Sequence, residues 1–232
     1  MAPYETNSES HNAILAGLSV ASVKRLSLLP VELVVNYPIY EASQPFDAVY
    51  FPESGLLSIV STLESGKSIE VGTLGREGVS PSQLLLGARS SPFRCFVQVA
   101  GSGFRTSIER FSEAVGEDSR LRENVLKYEN SFRIQCMQGI ACNALHTVEQ
   151  RCCRWLLMTH DRVGADDLKL SHEFLAMMLG VRRASVTEVL LPLQELELLR
   201  SVRGTISILK RKQLEERVCE CYWLIKNCES LN

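Results

Sequence analysis

The tightest constraint on this chain lies between His172 and Val189. Counting from His172, the fourth, fifth, eighth, ninth, tenth, fifteenth and eighteenth positions are Leu175, Ala176, Leu179, Gly180, Val181, Val186 and Val189. A single helix has no use for a glycine at 180, which costs about 1 kcal/mol against alanine in a helix interior. Two short helices joined by a tight turn do use it, because glycine enters positive-φ conformations freely. Leu175, Leu179, Val181, Val186 and Val189 then form the small core of two crossing helices. Ala176 is small where the second helix passes close, and Ser171 is a natural N-cap for the first. Seven coincident positions make a strong helix-turn-helix signal.

With those residues facing inward, Arg182, Arg183, Ala184, Thr187 and Glu188 face outward from the second helix. A helix so placed enters the DNA major groove, and arginine is shaped for guanine O6 and N7. Arg182, Arg183, Thr187 and Glu188 are therefore the expected base contacts, with Ser171, His172 and Ser185 beside them as expected phosphate contacts. Pro192 conflicts with a long second helix, which either bends there or ends early. Beyond it, "LLRSVRGTISIL" reads as two short strands about an Arg203-Gly204 turn. This wing would meet phosphate through Arg203 and Thr205. Lys210-Arg211-Lys212 opens a last helix, serving either solubility or phosphate.

Upstream, Leu26 to Ile108 is strand-like: "AVYF", "LLSIVSTL", "SIEVGTL" and "CFVQVAG" alternate with Gly, Pro and Ser punctuation, as in an antiparallel roll or sandwich. "LESGKSIEV" reads as a hairpin, and the stretch before Leu29 as one or two short helices. From Ile108 to His160 the pattern turns helical. Leu121, Val125, Tyr128, Phe132, Cys136 and Ile140 recur at steps of three or four along one stripe. That stripe either lies on the chain's own sheet or pairs with its copy across a two-fold axis. The junction to the last region falls near His146 to Arg151. The fold class is α+β: an antiparallel roll or sandwich, a long helix and a winged helix-turn-helix.

A chain of 232 residues is long enough for two modest domains. Residues 150–217 hold 12 Lys and Arg against 9 Asp and Glu, while the chain as a whole is at −2, so the terminal region is basic and the rest acidic. No apolar run approaches a membrane span, and the polar start "MAPYETNSESHN" lacks the build of a secretory signal, so a cytoplasmic protein without membrane contact is expected. The eight cysteines begin only at Cys95 and do not form a secreted disulfide framework. Cys219, Cys221 and Cys228 are candidates for metal binding or redox sensing, but their spacing matches no common zinc pattern and no His follows His172, so neither a metal nor a cofactor is expected.

The sequence resembles the Crp/Fnr family of bacterial transcription regulators from about residue 12 to Tyr222. The matching text is "VYFPESGLLSIV" and "EVGTLGREG" in the roll, then "VEQRCCRWLLMTHDRVG", "LSHEFLAMMLGVRRASVT", "RGTISIL" and "CECY". The resemblance implies a β-roll sensor at 12–116 after a flexible 1–11, a dimerisation helix at 117–146, a winged helix-turn-helix at 147–222 and a tail at 223–232. It assigns the Leu121–Ile140 stripe to a homodimer reading an imperfect palindrome in double-stranded DNA, with RNA polymerase as a further partner. The family's Arg-Glu-Thr-Val-x-Arg recognition pattern falls on Arg183-Ala184-Ser185-Val186-Thr187-Glu188. Arg183 matches, whereas Ala184 and Glu188 depart, so the family's usual operator sequence does not carry over to this chain. In the sensor, the family's ribose- and phosphate-holding positions correspond to Gly75-Arg76-Glu77-Gly78 and to Arg94, neither with the intact cyclic-nucleotide signature. The effector pocket assigned to them takes an unknown small molecule, if any. No His lies between His11 and His146 and no Cys before Cys95, which closes the family's haem and iron–sulfur routes.

Two other classes compete. An enzyme built on a cupin-like roll needs clustered strand histidines, and no nucleophile–base or phosphate-loop motif appears. A ligand-binding or protein-interaction module with a degenerate, non-DNA-reading winged helix is the alternative that Glu188 and Pro192 keep open.

Overall fold

The computed structural model describes residues 10–230, in which two compact units form. One comprises residues up to 59 together with 73–133, and the other 60–72 together with 134–230. The expected flexible start therefore lies almost wholly outside the described residues.

The first unit opens with α1 (Val20–Leu26), capped by Ser19, whose hydroxyl accepts from the Ser22 N–H. Seven strands follow: β1 (Leu29–Leu33), β2 (Pro38–Tyr40), β3 (Ala48–Pro52), β4 (Leu56–Thr62), β5 (Ser68–Leu74), β6 (Arg94–Val99) and β7 (Gly101–Ser107). They form two sheets, ordered β1-β7-β3 and β2-β6-β4-β5. In the first, β7 pairs antiparallel with both neighbours, Leu29 opposite Arg105 and Ala48 opposite Ser107. Val49, Tyr50, Phe51, Leu56, Leu57, Cys95 and Val97 are buried in this roll. β3 is buried along its whole length, so its text is a continuous apolar run rather than an alternation. Helix α2 (Ile108–Glu117) is capped by Ser107 and buries Phe111, Ala114 and Val115.

Asp118 breaks the helical path. It ends α2, and its carboxylate accepts from the N–H groups of Arg120 and Leu121, capping α3 (Ser119–Leu145). The first half of α3 lies on the chain's own roll. Leu121 and Val125 are fully buried, and the Tyr128 ring packs so tightly on Gly78 that a Cβ there would sit 2.3 Å from it. The expected dimer stripe is corrected accordingly: Leu121, Val125 and Tyr128 are spent inside the protomer. Phe132 and Cys136 are half-buried, and Ile140 is 72% exposed. A helical period specifies a face, not what covers it.

In the second unit, Thr147 and Gln150 form a reciprocal capping box for α4 (Val148–Val163). Residues Cys152 to Thr159 are all buried, which makes α4 the central helix of the unit. Around it lie β8 (Asp167–Leu168), α5 (His172–Leu179), α6 (Arg183–Glu195), β9 (Leu199–Val202), β10 (Thr205–Ile208), α7 (Arg211–Glu215) and α8 (Glu220–Ser230). The small sheet is ordered β8-β10-β9, one strand more than the sequence indicates. Helix α8 occupies most of the stretch expected to be a tail. Arg211 is not surface charge either: it bonds Asp161 at 2.7 Å, Glu215 at 2.9 Å and the Tyr222 hydroxyl at 2.7 Å.

Candidate nucleic-acid interface

Helices α5 and α6 meet through Leu175, Leu179, Val186, Leu190 and Leu193, all buried. Val181 and Val189, expected in this core, are half-buried, and Leu190 and Leu193 take the deeper places. Gly180 sits between the helices at φ +64°, and its N–H closes α5 on the carbonyls of Ala176 and Met177. A Cβ at 180 would also meet the Ile69 side chain at 2.7 Å, so both backbone and neighbour demand glycine. Ser171 caps α5 by accepting from the Phe174 N–H at 3.1 Å. Pro192 lies on the exposed side of α6, which continues past it to Glu195. The cost is one backbone hydrogen bond, to the carbonyl of Glu188.

The start of α6 is its reactive end. Arg182 stands at the N-cap with extended backbone, and no side chain caps the first turn. The leading N–H groups and the positive end of the helix dipole are therefore left for an anion. Arg182, Arg183, Ala184, Thr187 and Glu188 are exposed. Across from them, Arg203 and Gly204 form the two-residue turn between β9 and β10, with φ +49° and +78°. Ser171, His172, Glu173, Arg183, Ser201, Arg203 and Gly204 line an open groove of about 310 Å³. The groove thus unites the first turn of α5, the first turn of α6 and the wing.

His172 is the strut of this groove. One ring nitrogen lies 3.1 Å from the Thr187 hydroxyl and the other 2.8 Å from the Ser201 hydroxyl. The Thr187 hydroxyl in turn donates to the Arg183 carbonyl. Burial first, and the Arg183 guanidinium second, push the His172 pKa below its ordinary value. That shift favours the neutral ring, which donates through one nitrogen and accepts through the other. Because both nitrogens are taken, His172 holds α5, α6 and the wing together, a different task from the phosphate contact expected of it. Ser201 was not singled out from the sequence. Strand alternation puts it on the face of Leu199, but nothing local says which helix that face meets.

The positions assigned to an effector have other occupations. Both carboxylate oxygens of Glu77 accept from the Gly75 N–H at 3.1 Å, closing their own turn. The Arg76 carbonyl accepts from the Ala13 N–H, and the Gly78 carbonyl from the Asn12 amide. Arg94 bonds Glu41 at 3.2 Å and lies over the Phe96 ring.

A helix-turn-helix with an uncapped, arginine-bearing second helix and a basic wing defines a DNA-binding module, here on the same chain as an antiparallel roll. The Crp-like helix-turn-helix domain family matches residues 150–217. The global nitrogen regulator of Nostoc sp. is 29% identical over 186 residues, covering 76% of this chain and 80% of that one. Among solved structures, FixK2 from Bradyrhizobium japonicum is 16% identical with a TM-score of 0.68, covering 83% of this chain and 98% of that one. A CRP/FNR-family transcriptional regulator from Thermus thermophilus is 20% identical with a TM-score of 0.65, covering 82% and 97%. Residues 150–217 form a Crp-like helix-turn-helix DNA-binding domain, and the chain is a Crp/Fnr-like transcription regulator. Among the described residues no helix is long and apolar enough to cross a membrane.

Proposed function

We propose that the protein works as a cytoplasmic homodimer that reads an imperfect palindrome, each protomer placing α6 in one major groove. The observation that carries this reading is the pair Arg182 and Arg183, exposed at the uncapped start of α6, with Arg183 lining the wing groove. In this reading Arg183 and Arg182 contact base edges, and Glu188 either accepts from a cytosine amine or orients an arginine. Ser171, Ser185, Arg203 and Thr205 hold phosphates with the free N–H groups of α6. His172 and Thr187 fix the angle between the two helices and the wing. Half-sites then lie about 34–36 Å apart, and contact with RNA polymerase follows once the dimer is docked near a promoter.

The dimer part is supported by the second half of α3, where Met137, Ile140 and Leu145 are each more than half exposed. Apolar residues so grouped on one helix call for a partner. Gating by a small effector in the roll rests on the family resemblance. It requires a ligand with different affinity for two arrangements of the DNA-reading helices.

The test is selection of bound sequences from random duplex DNA, followed by the salt dependence of the winning site. Enrichment of a two-fold symmetric sequence is the expected result. Equal affinity for every duplex would count against base reading, and enrichment of a single asymmetric half-site against the dimer.

A further inference from the structure

The chain brings together four side chains that its sequence scatters. Cys142 lies in the last turn of α3, and His146 follows four residues later. Cys219 and Cys221 flank Glu220 at the entry to α8. The three Sγ atoms and an imidazole nitrogen all lie within 4.8 Å of one another. The Cys142 and Cys219 sulfurs are 3.6 Å apart, and the Cys221 sulfur is 3.5 Å from His146 Nδ1. All four belong to the second unit.

These spacings have a meaning beyond small buried residues packing together. A tetrahedral zinc ion sits about 2.3 Å from sulfur and about 2.0–2.1 Å from nitrogen, which sets sulfur–sulfur edges near 3.8 Å and sulfur–nitrogen edges near 3.6 Å. The two observed edges are within a few tenths of an ångström of those values. An iron–sulfur cluster has to fit between its ligands and spreads them; these ligand atoms stay within 4.8 Å of one another, the spacing of a single ion. We propose that Cys142, His146, Cys219 and Cys221 form a structural zinc site that clasps the end of α3 to the start of α8.

Four surrounding side chains fit that assignment. The other ring nitrogen of His146, Nε2, lies 3.3 Å from the Glu220 carboxylate. A carboxylate behind a histidine holds the proton on that nitrogen and leaves Nδ1 free to ligate. The Gln138 amide donates to Cys221 Sγ at 3.0 Å, a bond that strengthens when the sulfur is a thiolate. Arg151 and Arg154 lie within electrostatic reach of Cys142. They donate to the Leu179 carbonyl and the Met158 sulfur, neither of them a carboxylate, and each keeps a buried Nε without a partner. Three thiolates, one neutral imidazole and Zn²⁺ carry one net negative charge, a nearby counter-charge for these two guanidiniums. On binding, the three thiol protons pass to solvent, so uptake is favoured as pH rises.

The absence of a recognisable zinc spacing in the sequence has a simple cause. The Cys-x-Cys half stands 73 residues beyond the Cys-x-x-x-His half, and only the packing of α8 on α3 and α4 joins them.

The experiment uses the full-length protein, purified under reducing conditions, with zinc counted by elemental analysis and the metal-free chain titrated with Co²⁺. One zinc per chain is expected, and cobalt should give the intense bands of a tetrahedral thiolate site. Cys219→Ser and Cys221→Ser should lose the metal, whereas Cys95→Ser and Cys228→Ser should keep it. Glu220→Gln should weaken zinc binding about 10- to 100-fold. If the serine variants fail to fold, the wild type decides: a chelator should lower its Tm, and added zinc should restore it. The proposal is overturned if folded wild type takes up neither ion. It is equally overturned if Cys219→Ser binds zinc as well as the wild type, or if Cys142 and Cys219 are found joined as a disulfide in place of metal. DNA selectivity is not part of this readout, so the zinc site and the proposed operator reading stand or fall separately.

Discussion

Replacing Arg183 by alanine separates DNA reading from folding, because the side chain is exposed and stands at the first residue of α6. Surface changes of this kind alter folding stability by about 0.5 kcal/mol or less, so the Tm should stay where it is. Loss of a bidentate guanine contact costs about 1–3 kcal/mol per half-site. A dimer loses it twice, so affinity for a symmetric operator should fall by about 2–6 kcal/mol, or roughly 30-fold to 10⁴-fold. The assay is fluorescence anisotropy with the selected operator and with operators altered at one base pair per half-site, each at several salt concentrations. A base contact predicts that the variant stops discriminating at one position while its salt slope barely changes. A phosphate contact predicts uniform weakening and a slope smaller by about one unit per lost contact. Arg203→Ala, at the wing tip, should behave in the second way. If Arg183→Ala binds the operator as tightly as the wild type, with selectivity intact, α6 is not read through this arginine and the placement of the helix is wrong.

Three further perturbations address the scaffold. Gly180→Ala should destabilise the second unit, since a left-handed backbone costs an L-residue about 1–2 kcal/mol and the new methyl would meet Ile69. Thermal denaturation should show a lower Tm, and a smaller loss for Gly180→Asn would identify the backbone as the larger cause. Met137→Glu combined with Ile140→Glu should convert a dimer to a monomer by sedimentation without lowering the Tm of the protomer, because both side chains are exposed; an unchanged mass removes α3 from the interface. His172 has a pKa depressed by burial and by Arg183. The unfolded chain therefore binds this proton more readily than the folded one, and stability present above pH 6.5 is lost as pH falls through the folded value. Denaturant titrations should show this acid loss in the wild type and a flatter profile in His172→Gln; identical profiles would deny the strut its role.

How legible each feature is in the sequence follows from the distance over which its signal acts. The helix-turn-helix is set by residues at most 18 positions apart, and Gly180 announces its turn through a backbone requirement that no neighbour supplies. The wing turn is similarly local, since Arg203-Gly204 needs two positive φ values in succession. On α3, by contrast, one apolar period continues from Leu121 to Ile140 while its purpose changes partway along. Leu121, Val125 and Tyr128 are consumed by the roll, and Ile140 is left outside. Periodicity carries no mark of that change, because a sheet and a second helix ask for the same apolar stripe. His172 was visible as a residue near phosphate, but not as a strut, since its partner Ser201 lies 29 positions away.

The same reasoning gives the second unit a division of labour. The end proposed to face DNA has exposed guanidiniums, an uncapped helix and a groove whose lining includes His172. Elsewhere the unit is fastened by charge: Arg211 joins Asp161, Glu215 and Tyr222, tying α7 and α8 to α4. The cysteine–histidine cluster joins the same α8 to the end of α3. A cationic reading surface must leave its charges unpaired until DNA arrives, so it cannot draw stability from them. Rigidity has to come from the rest of the unit, through the Arg211 network and the buried length of α4. On that argument, breaking the network with Arg211→Met should lower the Tm of the second unit and weaken DNA binding through loss of fold. The residual folded protein should still select the same sequence; a changed sequence preference in the folded fraction would mean that the two parts are coupled more closely than this division allows.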